Sequence, residues 1–483
     1  MRNRLMIAAL LVSASLLCAC SHQHRAALAI THVTVIDATG AAPRRDMTVV
    51  IENDRIALVA SANTISLAAD TRVIDGTGKF LIPGLADMHV HLTGAGEPEG
   101  SRQFMLPMLL ANGITTVRDM GGYLESLEPL RKEIREGRRI GPQILFAGPY
   151  LDGNPPSFQP SLVVTNTADA QKYVRELLQR GVDFIKVQSI LGRDAYFAIA
   201  AECKSAHIPF AGHVPDRVTA AEASDAGQHS IEHLTGVLRA CSSHEKRLMR
   251  EQFFVSRRKK TVAQSGARQL AWQRELLRTQ SEKFTAALLE EFVHNQTWQV
   301  PTLTMLHNVA YPTAAQSFAK DARAPFVPRH LLDVWQKDRV KELKAYPQEL
   351  AAREAVLQKS FEMVGKMNAA GVRLLAGTDT AAPFVFPGFS LHEELALLVQ
   401  AGLTPLQALQ SATRNPAEFL GKLEEQGTIE PGKFADLLLL DGNPLDDIRN
   451  TQKIRAVVVR GKLVDRAALD GMLGAVQKFA AAH

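Results

Sequence analysis

Leu81-Ile82-Pro83-Gly84-Leu85-Ala86-Asp87-Met88-His89-Val90-His91 is the stretch whose reading decides the fold. Residues 85–91 form an apolar run that ends in two histidines placed two positions apart. On an extended strand that spacing puts both imidazoles on one face, where together they can chelate a metal. A lone His-x-His pair is equally well explained by a structural role, so its meaning depends on what accompanies it.

Downstream, short apolar strands alternate with helical segments, the mark of an α/β fold with a parallel sheet. Eight candidate strands fall at 85–91, 114–119, 143–147, 183–188, 208–213, 229–233, 298–302 and 372–379. The simplest solution is a (β/α)8 TIM barrel over residues 83–427. Its sixth unit carries a helical insertion at 237–296, with the basic cluster Arg257-Arg258-Lys259-Lys260 read as a solvated helix face. Residues 28–82 and 428–470 read instead as short alternating runs broken by turns such as Asn53-Asp54 and Arg460-Gly461. They predict one small β-sandwich domain built from both termini.

Catalytic groups of such a barrel sit at the C-terminal ends of its strands. Lys186, His213, His233 and Asp379 each end a different predicted strand. Together with His89 and His91 they make a metal site the expected reading.

At this point the chain resembles the amidohydrolase superfamily, from about residue 28 to 465. It is similar to the branch of Xaa-Pro dipeptidases (prolidases) and imidazolonepropionase-like proteins. The matching segments are residues 81–91, the Lys186 strand, Gly212-His213-Val214, Ser230-Ile231-Glu232-His233, Gly377-Thr378-Asp379 and the return Gly427-Thr428-Ile429-Glu430-Pro431-Gly432. The resemblance implies that His89, His91 and Asp379 bind one divalent metal and that His213 and His233 bind a second. Lys186, carboxylated by carbon dioxide, would bridge them. Zinc suits a histidine-rich site with some oxygen ligands. A metal-bridging hydroxide would attack the substrate carbonyl, with Asp379 as the catalytic proton carrier. A strand-four lysine also argues against the mononuclear deaminases of the superfamily.

Substrate-binding candidates are Tyr150 after strand three, Arg217 after strand five and His307 beyond strand seven; the arginine or the tyrosine would suit a substrate carboxylate. Asp87 reads as a supporting rather than ligating residue. Glu232 reads as pointing away from His233, toward a surrounding helix, and His392-Glu393-Glu394, His207 and His229 read as structural.

Arg2 and Arg4 followed by the apolar run 5–17 form an export signal too short to span a bilayer. It ends in Leu17-Cys18-Ala19-Cys20, which resembles a lipoprotein processing site with Cys20 as the lipidated residue. Cleavage after Ala19 without lipid is the alternative. The expectation is an exported periplasmic or cell-envelope lipoprotein of a bacterium, held to membrane by its anchor. Only Cys203 and Cys241 remain in the body; they form no disulfide framework and neither is expected to be essential. Net charge is +5, to which the leader contributes two arginines, and this balance does not suggest nucleic acid. A homo-oligomer is compatible with the sequence.

The leading function is hydrolysis of an amide bond in a dipeptide or N-acyl amino acid. The alternatives are a cyclic amide, lactone or ester hydrolase, a deaminase of the same superfamily, or a metal-binding lipoprotein without catalysis.

Overall fold

The computed structural model describes residues 28–93, 100–257, 262–311, 321–345 and 350–483. The leader, Cys20 and most of the basic cluster at 257–260 lie outside the described residues.

Apolar residues alternate along Leu28–Val35 and Arg44–Glu52, which pair antiparallel, and Arg55–Ser61 extends the meander through the turn at Asn53. From the other end of the chain come Leu437–Leu440, Ile454–Val459 and Lys462–Asp465. The two ends meet where Leu437–Leu440 runs antiparallel to Phe80–Pro83, with Leu439 opposite Leu81. Phe80–Pro83 in turn pairs parallel with Leu28–Val35, so these strands and Arg72–Asp75 form one hydrogen-bonded sheet of eight. This corrects the expected sandwich: the N- and C-terminal strands join edge to edge instead of forming two separately bonded sheets. Val33, Val49, Leu81, Leu437 and Val458 close its core.

Seven of the barrel strands appear where the sequence placed them, all but the second shorter: Leu85–Val90, Ile114–Asp119, Gln143–Phe146, Ile185–Val187, Phe210–Gly212, Ser230–Glu232 and Trp298–Val300. Two further short strands, Tyr150–Asp152 and Ser161–Val163, were not expected. No single ladder runs round the ring. The first three barrel strands form one parallel sheet and the remainder, with the two extra strands, form another. The predicted eighth strand at 372–379 is not a regular strand, and it ends in the left-handed backbone of Asp379 (φ 66°). It still bridges its neighbours: Leu375 N–H donates to Gln299 O at 3.0 Å, and Met88 N–H donates to Ala376 O at 3.0 Å. Across the other gap, Asp183 N–H donates to Phe146 O at 2.9 Å. The result is a TIM-barrel-like α/β fold.

The insertion is helical in its described parts, with helices Glu245–Arg257, Val262–Arg278 and Glu282–His294. Cys203 and Cys241 are separate buried thiols, and burial pushes them up to about 12 and about 11, outside the reactive range. Among the described residues no helix is long and apolar enough to cross a membrane.

The hairpin at Arg460-Gly461 has both residues at positive φ, the two-residue turn that matches strand twist. A Cβ on Gly461 would lie 1.7 Å from the Asn53 carbonyl oxygen, a backbone atom that cannot rotate away. Gly461→Ala is therefore expected to cost more than the ~1–2 kcal/mol of a left-handed alanine alone. Denaturant titration checks it; an unchanged midpoint would show that the hairpin does not rest on the Asn53 turn.

Candidate metal centre

His89 lies on Leu85–Val90 and His91 just past its end, and the two rings stand 5.3 Å apart. The rings of His89 and His233 are 4.5 Å apart, and those of His213 and His233 are 4.9 Å apart. Gly212 makes part of this crowding possible. A Cβ there would lie 2.2 Å from Val187 O and 3.0 Å from the Lys186 side chain, so glycine lets strand five approach strand four. Asp379 Oδ1 lies 3.3 Å from His89 Nε2 and 3.1 Å from His91 Nε2. One ligand atom from each of His89, His91 and Asp379 falls within 4.8 Å of the other two.

Each histidine has its other ring nitrogen tied down. His89 Nδ1 donates to Glu232 Oε2 at 2.8 Å, and His91 Nδ1 donates to the Gly121 carbonyl at 3.0 Å. The Thr302 hydroxyl donates to the Pro301 carbonyl, so it accepts from His233 Nδ1 at 2.7 Å. His213 Nδ1 meets the Ser189 hydroxyl at 2.8 Å. At His89, His91 and His233 an acceptor on Nδ1 sets the tautomer and leaves Nε2 with a lone pair to offer a metal.

Burial drives His89 and His213 well below their ordinary value, helped by nearby Lys186, and brings His233 down to about 4. Burial works against charge on His91 too, but the Asp379 carboxylate more than offsets it and raises that imidazole. Burial alone would raise Asp379; the surrounding His233, His91 and Lys186 hold it low.

The centre passes a direct test of fit for a cation. Neutral His89 turns a lone pair toward the Asp379 carboxylate oxygen, and its buried Nε2 has no hydrogen-bond partner. Acceptors facing one another this closely need positive charge between them. Lys186 adds a second buried orphan: its Nζ has no partner, and burial lowers its amine to about 8.

The support beneath the ligands was partly misread from sequence. Glu232 does not face a surrounding helix; it lies in the barrel interior with its side chain fully buried. The reason is His233, whose φ of 58° breaks strand alternation and lets consecutive side chains serve the same centre. Glu232 Oε1 also accepts from Arg118 Nη2 at 2.9 Å, and Arg118 donates from Nε to Met88 O at 2.7 Å. Arg118 went unnoticed because nothing in its local sequence separates it from a surface arginine. Asp87 accepts from Thr378 N–H at 3.0 Å and Thr378 Oγ1 at 2.7 Å, holding the eighth segment to the first, and burial raises its carboxyl to about 7. Glu394 takes the N–H groups of Leu303 and Thr304 at the start of helix Leu303–Ala310.

The ligand cluster opens into a cavity of 660 Å3. Tyr150 lines it, with its hydroxyl 3.1 Å from His91 Nδ1. Arg217 and His307 do not line it: Arg217 is exposed, and His307 packs against Tyr311 with ring centres 4.8 Å apart. Arg339, not singled out in sequence, does line it, from the helix Arg329–Ala345.

A TIM-barrel-like fold with histidines, a lysine and an aspartate gathered at its strand tips is the arrangement of barrel enzymes whose active sites lie at that face. Residues 80–464 match the family model described as Amidohydrolase family, and the chain belongs to that family. That superfamily generally uses divalent metals. Its fold is similar to that of a bottromycin amidohydrolase, at TM-score 0.72 and 22% identity over 94% of this chain and 90% of that one. A Xaa-Pro dipeptidase with bound methionine is also similar, at TM-score 0.65 and 20% identity over 91% and 99%. The ochratoxinase of Aspergillus niger is 39% identical over 90 residues, a stretch that spans 18% of either chain.

Glu232→Gln is expected to weaken metal binding by about 10–100-fold, because His89 loses the carboxylate that orients it. Competition against a chelator measures this. An unchanged metal affinity would show that Glu232 serves Arg118 and Ser230 instead.

Proposed function

We propose that this chain is a metal-dependent amidohydrolase that cleaves the amide bond of a dipeptide or N-acyl amino acid. One observation carries the reading: the His89, His91 and Asp379 donor atoms converge beside the buried, unpartnered Lys186 amine, at a cavity sized for a small molecule. His89, His91 and Asp379 would hold one divalent ion and His213 and His233 a second, with zinc the preferred metal.

Lys186 is suited to carboxylation. Burial brings its amine down to about 8, and the neutral fraction this provides adds to carbon dioxide, forming the Nζ–C bond and releasing one proton to water. The product is an anionic carbamate able to join both ions. When bound, the ions supply an acidified water and Lewis acidity toward a carbonyl.

Asp379 then moves the proton. Its carboxylate is held low, ready to take a proton and return it to the departing nitrogen. Phe158, Met305, Val309, Leu331 and Pro383 give the cavity an apolar wall, while Tyr150 and Arg339 offer donors to a substrate carboxylate.

The test is a hydrolysis screen of dipeptides and N-acyl amino acids with the zinc-loaded chain. The expected result is selective amine release, reduced by at least about 10³-fold in Lys186→Ala and Asp379→Asn. Full activity in Asp379→Asn would refute the proton route, and a blank screen with metal bound would turn attention to cyclic amides and lactones.

Export with a lipid on Cys20 is a separate proposal, resting on the leader sequence. Cys20→Ala is expected to move the protein from the membrane to the soluble fraction. Continued membrane association of that variant would rule the anchor out.

A further inference from the structure

A second cavity, of 650 Å3, matches the first in size and shares none of its lining residues. It lies between the helix Leu124–Arg135 with the loop after it, the start of strand Gln143–Phe146, and the Arg460-Gly461 hairpin of the terminal sheet. Gln143 opens its strand and Asp183 precedes Ile185–Val187, so this cleft sits at the N-terminal ends of the barrel strands, opposite the metal centre.

Its lining brings six cationic side chains together from three separate parts of the chain: Arg131, Arg135, Arg139, Lys422, Arg460 and Lys462. Two carboxylates, Asp54 and Asp183, accompany them. Three of the cations are fixed by partners. Arg131 pairs with Asp183 at 2.8 Å and its guanidinium lies 3.8 Å from the centre of the Phe146 ring. Arg139 pairs with Glu133 at 2.9 Å. Arg460 approaches Asp436 at 3.7 Å and lies 3.7 Å from the centre of the Phe434 ring. Among the described residues Arg135, Lys422 and Lys462 make no direct ion pair with a carboxylate, and Asp183 acts on Arg135 and Lys422 only at longer range. Helix-terminal charge complementarity accounts for Arg135 alone. It does not account for Lys422 and Lys462, which come from other segments.

We propose that this cleft is a binding site for a phosphate-bearing ligand, distinct from the catalytic cavity. Converging cations at the rim of a low-dielectric cleft concentrate potential on one small volume. Arginines held by stacking and ion pairs present fixed donors to phosphate oxygens, and the three unpaired cations supply the charge. Ile134, Ile140 and Val459 add an apolar margin, and Ile140 is 44% exposed, an apolar surface beside the charge that a purely hydrated anion would leave uncovered. The phosphate can come from a free metabolite or from a phospholipid headgroup.

Isothermal titration of the full chain with pyrophosphate tests the site. The expected result is binding that weakens at least about ten-fold in Arg135→Gln/Lys422→Gln/Lys462→Gln. It should change less than about two-fold in Lys172→Gln/Lys246→Gln/Lys283→Gln, which removes the same charge from exposed positions elsewhere. Matched thermal melts establish that both variants fold. Glycerol 3-phosphate against dihexanoylphosphatidylglycerol then identifies the source: tighter lipid binding points to a headgroup with its chains on the apolar margin, and equal binding to a free phosphate. Absence of pyrophosphate binding, or equal loss in both triple variants, would overturn the proposal.

Discussion

The buried pair between Arg118 and Glu232 is the interaction on which the centre of this barrel depends. Both side chains are fully removed from water. Burying a charge costs several kcal/mol unless partners satisfy it. Here the partners come from three strands. Arg118 on the second strand reaches Met88 O on the first and Ser230 Oγ on the sixth, while Glu232 on the sixth returns to His89 on the first. A change in the relative position of these strands would leave a charge stranded. The same network that holds the barrel in register therefore fixes the tautomer of His89.

Above that network the strands give way to irregular backbone, and there the chemistry is gathered. Regular pleating sends alternate side chains to opposite faces, which limits how many ligands one strand can contribute. Positive φ at His233, Thr302 and Asp379 breaks the alternation. Glu232 and His233 can then both face inward, and Thr302 can support His233 from the next strand. The broken eighth segment keeps its place because Asp87 grips Thr378 from the first strand. Its ladder is short for the same reason that its aspartate is well aimed.

The terminal sheet closes the chain on itself. Leu439 and Leu81 lie opposite each other where the two ends meet, and the hairpin at Gly461 rests against the turn at Asn53. That closure places Arg460 and Lys462 beside arginines of the barrel helix Leu124–Arg135. The basic cleft exists only because distant segments are brought to one place.

Sequence by itself placed seven of the barrel strands and picked out the six side chains that the fold brings together at their tips. Each of those features is local: an apolar run ends in a polar residue, and the position at a strand end carries the information. Tyr150, named on the same ground, lines the cavity beside them. Arg217 and His307 were equally good candidates by position, but a loop's sequence does not say which way it folds, and both lie outside the cavity lining. Glu232 was misassigned because alternation is a rule for regular strands, and a single left-handed residue after it suspends the rule. Arg118, Arg339 and the unpaired cations of the second cavity became meaningful only in three dimensions. Their significance lies in burial and in partners far along the chain, which no local pattern encodes; tertiary structure alone decided them.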